Sequence, residues 1–160
     1  MIVGFLKFIH VAFGLIGLIA GTSVLFGMLA GVFLEKWTVI FLKCALAASV
    51  TGLLFPFHHL LPTHWAAMLG IYTSGIAILA WRRYYLAGIW ALVFALCIAF
   101  VLCLDVLVAI AHIFGMLVFT HHKLLFTLIE STVTLLFAGF GIFTVKRYRN
   151  RSATSLAGHR

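Results

Sequence analysis

Histidines are the residues of this sequence most able to do chemistry. The 160-residue chain contains eight of them, and five lie in two short clusters, His58, His59 and His64, and His121 and His122. Imidazole titrates near physiological pH and is a good ligand for iron, copper and zinc. The histidines therefore predict proton transfer, or the binding of a metal or haem, if the fold brings them together.

Acidic residues are rare, which makes their positions informative. Only Glu35, Asp105 and Glu130 are present, and the last two lie inside long apolar segments. An ionisable group within a bilayer is costly and normally faces a partner or a cavity. We expect a polar pocket or proton path formed by Asp105, Glu130 and Lys43. In it, Lys43 either pairs with Asp105 or extends towards the nearer interface.

Long apolar segments must position these side chains. The chain is 65% hydrophobic and 9% charged, whereas soluble domains carry about 25% charged residues. Five segments are long and apolar enough to predict membrane helices, at 8–33, 39–57, 65–81, 84–119 and 124–145. Backbone polar groups in lipid must pair within the segment, which favours helices. We therefore predict an all-α, integral membrane bundle of five transmembrane helices.

The sequence predicts a single domain. Residues 1–147 form the predicted transmembrane domain, and 148–160 form a basic tail that is predicted to be disordered. The first apolar segment is too long for a cleavable signal peptide. The fourth would extend about 54 Å as a helix, so it either tilts strongly or ends near Gly115. A break at Asp105 is not expected, because the second piece would be short.

Charge asymmetry predicts the orientation. Five crossings place the termini on opposite sides, and most basic residues then share the side of the C-terminus. That side carries Lys36, Arg82, Arg83, Lys146, Arg147, Arg149, Arg151 and Arg160. The positive-inside rule places it in the cytoplasm and the N-terminus outside, most simply in a bacterial inner membrane. Seven of the eight histidines then lie on the outer side, and His159 alone lies inside.

A cofactor site is predicted in the outer half of the bundle. His10 shares a helical stripe with Gly14 and Gly17, where a helix or a flat ligand could approach closely. By the rise per residue, His10, His112 and Glu130 lie at a similar depth. His10 and His112 could ligate a b-type haem. Alternatively, a copper, iron or zinc ion could be held by residues drawn from His10, His58, His59, His64, His112 and Glu130. His10 and His112 could also simply form hydrogen bonds to acids or helix carbonyls.

Three functions stay open at this point. The first is a redox-associated subunit with a haem, metal or quinone site. The second is a non-catalytic accessory or assembly subunit, and the third is a proton-pathway component. Whether the protein is an enzyme is left open. The expected partners are the lipid bilayer and other membrane subunits or a second copy. Nucleic-acid binding is not expected, and Cys44, Cys97 and Cys103 are predicted to be small buried residues without a metal or disulfide role.

A stretch at 51–83 resembles a group of small uncharacterised bacterial membrane proteins, which carry a similar FPFH…P-x-H loop between two spans. The resemblance continues through LCLDVLVAIAHIF, the KRYR at 146–149 and the opening HVAFGLIGLIAG. More loosely, the chain is similar to small membrane proteins with b-type-cytochrome-like helices. The matching positions are His10, Gly14, His58, Pro62 and His64. The resemblance implies a multi-span bundle, with amides expected in the group where this chain has Asp105, His112 and Glu130.

Overall fold

A computed structural model describes residues 2–54, 62–117, 127–129 and 131–144, with the backbone alone at 2, 3, 62, 63 and 112–117. The helices are α1 (Ile2–Ala30), α2 (Glu35–Leu53), α3 (Pro62–Arg82) and α4 (Ile89–Leu117). A fifth helix, α5, lies within Thr127–Thr144. All five are long and apolar enough to cross a membrane. The all-α prediction and the predicted number of apolar helices are therefore confirmed.

The first connection is shorter than predicted. Gly31 has a φ of 78°, and its N–H donates to the Met28 carbonyl while the Val32 N–H donates to the Gly27 carbonyl. This pair of bonds is a Schellman motif, which satisfies the last carbonyls of α1 and ends the helix sharply. The expected loop at 34–38 is wrong, because α2 already begins at Glu35. An acidic residue in the first turn suits the positive end of the helix dipole.

The fourth helix begins later than the hydropathy indicated. A tight turn separates α3 from α4, and Tyr85, Leu86 and Gly88 all have positive φ there. The Leu86 N–H donates to the Ala80 carbonyl at 3.1 Å, and the rings of Tyr84 and Trp90 stack 3.8 Å apart across the turn. The predicted start at residue 84 is therefore wrong. Beyond Ile89, α4 runs unbroken through Asp105 to Leu117, as expected.

The first four helices form a closed ring in which α1 packs on α2, α2 on α3, α3 on α4, and α4 back on α1. The pairing across α1 and α4 is antiparallel: Gly17 lies against Asp105, and Gly21, one turn later, lies against Leu102. The fifth helix packs outside this ring. A Cβ built on Gly141 of α5 would lie 3.5 Å from Leu96 of α4. The ring therefore holds the core, and α5 covers part of α4.

Alanines pack between the helices beside a few large core residues such as Phe41 and Ile98, and many large apolar side chains cover the outside. Ala20, Ala45, Ala77 and Ala80 are at most 1% exposed. In contrast, side chains from α1 and α5 are more than two-thirds exposed, including Phe5, Phe8, Leu135 and Leu136. A water-soluble protein buries most of its large apolar side chains, whereas membrane helices use small residues at their interfaces and place large ones against lipid.

Gly21 is the position where this close packing is most sensitive. We expect Gly21→Ala to lower the stability of the protein in detergent, because its Cβ would lie 2.7 Å from both Leu102 and the buried ring of Phe41. The cost should be about 1–3 kcal/mol, the usual range for overpacking. Thermal unfolding followed by circular dichroism would measure it.

Gly14→Ala is the matched control, because no described atom lies within 4 Å of its added Cβ. It should stabilise α1 by about 0.5–1 kcal/mol through helix propensity alone. Equal melting temperatures for the two variants would contradict the described α1–α2–α4 packing.

Candidate functional site

His10 is anchored to α2 by its imidazole. The His10 Nδ1 atom lies 2.9 Å from the Ala48 carbonyl oxygen and 3.1 Å from the Thr51 Oγ1 atom. A carbonyl oxygen can only accept, so Nδ1 carries the hydrogen and donates it. The Thr51 hydroxyl donates to the Ala47 carbonyl at 2.8 Å and the Ala48 carbonyl at 2.9 Å, which leaves its oxygen able to accept from His10. In the neutral ring, Nε2 is then the atom with the lone pair.

Gly52 makes room for this ring. A Cβ built at Gly52 would lie 3.5 Å from His10 Cε1 and 3.5 Å from the Ala67 Cβ of α3. The imidazole of α1 and the small face of α3 therefore meet at the same glycine of α2. His64 lies one turn before Ala67, on the same face of α3, and is only 1% exposed. His10 and His64, predicted to share a pocket, thus lie at the same end of the bundle.

Asp105 lies deeper in the bundle, where α1, α2 and α4 meet. A Cβ built at Gly17 would lie 3.6 Å from Asp105 Oδ2 and 3.5 Å from the Cys44 Cβ. The Oδ2 atom is buried and makes no hydrogen bond within the described residues. Gly17 follows His10 by seven residues, so Asp105 lies about 10 Å further along the α1 axis than His10. The two groups can belong to one polar path through the bundle.

Lys43 lies apart from Asp105. Its side chain is exposed on α2, whereas its neighbour Cys44 is buried and turns towards Gly17 and Asp105. No ion pair between Lys43 and Asp105 occurs in the described helices. Of the two roles predicted for Lys43, extension along the outer surface of the bundle fits the geometry. Cys44, Cys97 and Cys103 are free, and all three are buried or half-buried.

Three predicted site residues, His58, His59 and Glu130, lie outside the described residues, as do the other histidines His121, His122 and His159. Only the backbone of His112 is described, but its level in the bundle follows from register. Asp105 lies against Gly17 in antiparallel helices, so residue 112 of α4 comes level with His10 of α1. The prediction that His10 and His112 share a depth therefore agrees with the backbone, and a shared ligand stays a prediction.

The described side chains do not form a metal site by themselves. Residues 4–54, 64–111, 127–129 and 131–144 contain no group of three or more His, Cys, Asp or Glu that could hold a metal ion.

The predicted glycine stripe on α1 makes its close helix contacts at Gly17 and Gly21. At Gly14 an added Cβ meets no described atom within 4 Å.

The sequence did not predict Thr51 and the Ala48 carbonyl as partners of His10. The only local signal was the adjacent Gly52, since a backbone acceptor leaves no mark on residue type.

No protein-family model, curated protein or solved structure matches this chain. The resemblance to small bacterial membrane proteins, carried by the FPFH…P-x-H loop, therefore stays a prediction. The site has to be interpreted from its own geometry.

Ser74 tests how strictly the interior requires its polar atoms to be paired. Its hydroxyl is fully buried in α3 and makes no hydrogen bond within the described part of the chain. We expect Ser74→Ala to raise the stability by about 1 kcal/mol, because it removes a buried polar atom that costs about 1–3 kcal/mol when unpaired. Chemical or thermal unfolding in detergent would measure this change.

Thr38→Val is the matched control. Thr38 is equally buried, but its hydroxyl donates to the Leu34 carbonyl at 2.9 Å. Replacing it should lower stability by about 0.5–1.5 kcal/mol. If both variants shifted stability in the same direction, the described pairing of these two hydroxyls would be contradicted.

Proposed function

We propose that this protein is an integral membrane protein associated with redox chemistry, which holds a haem, a metal ion or a quinone against His10. The exposed phenylalanines and leucines of α1 and α5 support a lipid environment. Lys36, Arg82 and Arg83 lie at the opposite end of the bundle from His10, which supports a cytoplasmic position for that end. The site is then in the outer half of a bacterial inner membrane.

The hydrogen bond from His10 Nδ1 to the Ala48 carbonyl carries this proposal. Metal-ligating histidines almost always donate their other ring N–H to a carboxylate, carbonyl or water, which fixes the tautomer and the ring orientation. The same bond fixes His10 in the tautomer that offers Nε2 as a ligand or proton acceptor.

The second ligand would come from one of two neighbouring helices. His64 is fully buried on the face of α3 that meets Gly52. His112 lies on α4 at the level of His10, by the antiparallel register of α1 and α4. His10 together with one of these imidazoles could hold a b-type haem, which would supply electron-transfer chemistry at this site.

A spectrum of the purified protein tests the proposal most directly. We expect the wild-type protein, purified in mild detergent, to carry a haem absorption band, a stoichiometric metal or an extractable quinone. His10→Ala should lose that group, because it removes the oriented Nε2. His64→Ala and His112→Ala identify the second ligand by the same measurement.

Lys7→Ala is the control for this experiment, since Lys7 is exposed on α1 one turn before His10. It should retain the bound group at the wild-type level. A wild-type preparation without absorption band, metal or quinone would contradict the proposal. Stoichiometric co-purification of such a preparation with a larger enzyme would assign the protein as an accessory subunit instead.

Asp105 favours a second candidate function, a proton-pathway component. Its buried Oδ2 has no hydrogen-bond donor within the described residues, and an unpaired carboxylate in an apolar bundle is costly. A carboxylate held in this position would take up one proton when reduction of the group bound at His10 adds a negative charge, and the resulting carboxyl would release that proton on reoxidation. Redox change at His10 and proton movement at Asp105 would then be coupled.

Asp105→Asn tests whether proton movement at Asp105 is coupled to the redox state of the bound group, without removing the group itself. The amide keeps the shape of the side chain but cannot carry the proton. We expect the bound group to be retained while the pH dependence of its midpoint potential, at most about 59 mV per pH unit for one electron and one proton, becomes flatter. Ser74→Ala is the control for a buried polar change on another helix, and a slope in Asp105→Asn equal to that of the wild type would exclude Asp105 from the coupling.

A further inference from the structure

A second site lies at the end of the bundle away from His10. There the last turn of α1, the first turns of α4 and the last turn of α5 surround an open groove of about 250 Å³. Its walls are mostly apolar and include Val32, Phe33, Leu86, Ala91 and Phe143. Ligand pockets for drug-sized molecules span roughly 300–1,000 Å³. This groove is therefore narrow, and it suits one hydrocarbon chain better than a helix or a planar macrocycle.

Cationic side chains stand beside one wall of the groove. Phe33 lines it, the ring of Phe33 lies 5.8 Å from the ring of Trp81, and the Arg82 guanidinium lies 4.5 Å above Trp81. Arg83 begins the turn that places Leu86 in the groove wall. The exposed Arg82 guanidinium is therefore linked to the groove wall by two aromatic rings, those of Trp81 and Phe33.

The turn between α3 and α4 holds Leu86 in the groove wall through its backbone conformation and contacts. Leu86 adopts a φ of 56°, which bulky residues seldom do. Its N–H is held by the Ala80 carbonyl at 3.1 Å. Tyr84, on the other side of the turn, stacks on Trp90 of α4 at 3.8 Å. These contacts fix the Leu86 side chain against the groove, and Arg82 and Arg83 lie where α3 ends and this turn begins.

We propose that the groove binds one acyl chain of an anionic phospholipid, whose phosphate contacts Arg82 and Arg83. Charge complementarity selects this occupant. Three exposed cations, Lys36, Arg82 and Arg83, and one exposed acid, Glu35, are the charged side chains described at this end. Guanidinium groups bind phosphate oxygens in a bidentate manner and also stack on aromatic rings. The site is independent of the function proposed for His10.

Native mass spectrometry of the full protein, with added phosphatidylglycerol or phosphatidylcholine, tests this site. We expect one phosphatidylglycerol to stay bound to the wild type and to raise its melting temperature more than phosphatidylcholine does. Ala91→Phe should abolish the retained lipid, because Ala91 lines the groove and the new ring would fill it. Ala138→Phe, at an exposed position of α5 away from the groove lining, should retain the lipid.

Arg82→Gln gives an independent result at an exposed residue. It should keep an acyl chain in the groove but reduce the preference for phosphatidylglycerol over phosphatidylcholine about fivefold, the effect expected of one basic residue near an anionic surface. Lys7→Gln, at the other end of α1, should leave the preference unchanged. Inorganic phosphate should not displace the lipid, because it lacks the chain.

Three outcomes would overturn the proposal. One is equal lipid retention in Ala91→Phe and Ala138→Phe. Another is an unchanged headgroup preference in Arg82→Gln. The third is a groove occupied by quinone or detergent alone when phosphatidylglycerol is present.

Discussion

Close approach of the helices at a few glycines determines where His10 and Asp105 can lie in this bundle. At Gly21 an added Cβ would come within 2.7 Å of side chains on both α2 and α4, and at Gly52 within 3.5 Å of both α1 and α3. Helices in lipid have little hydrophobic driving force to associate, so helices of this kind associate through van der Waals packing and interhelical hydrogen bonds. Small residues allow both, because the backbones come close enough for a side chain of one helix to reach a carbonyl of the next.

The polar groups follow from this spacing. His10 can reach the Ala48 carbonyl because Gly52 leaves space beside α2. Asp105 can be accommodated between α1 and α2 because Gly17 offers no side chain there. Both groups therefore occupy positions that a larger residue would have closed. A bundle built only for packing would have placed apolar atoms at these points, and a buried carboxyl without a described donor is unfavourable for stability. That cost is a physical reason to expect a function for Asp105.

The number of helices could be predicted from hydropathy, whereas the exact helix ends, which depend on backbone geometry, could not. Length and apolar composition predicted the number of helices. The start of α2 and of α4 could not be predicted, because the Schellman motif at Gly31 and the positive-φ turn at Leu86 depend on backbone bonds. The exposed position of Lys43 follows from the rotation of α2, which turns Cys44 inwards instead. The partner of His10 was one of the alternatives considered, a helix carbonyl, but residue types carry no information on which carbonyl accepts the bond.

The two ends of the bundle differ in chemistry, and the account rests on their lying on opposite sides of a membrane. Labelling of single cysteines in intact cells with a membrane-impermeant maleimide, in a chain with Cys44, Cys97 and Cys103 replaced by alanine, tests this directly. Gly4 and Arg83 are both exposed and lie at opposite ends. The account predicts that Gly4→Cys is labelled from outside and Arg83→Cys only after permeabilisation. Labelling of both from the same side, or in the reverse order, would contradict it.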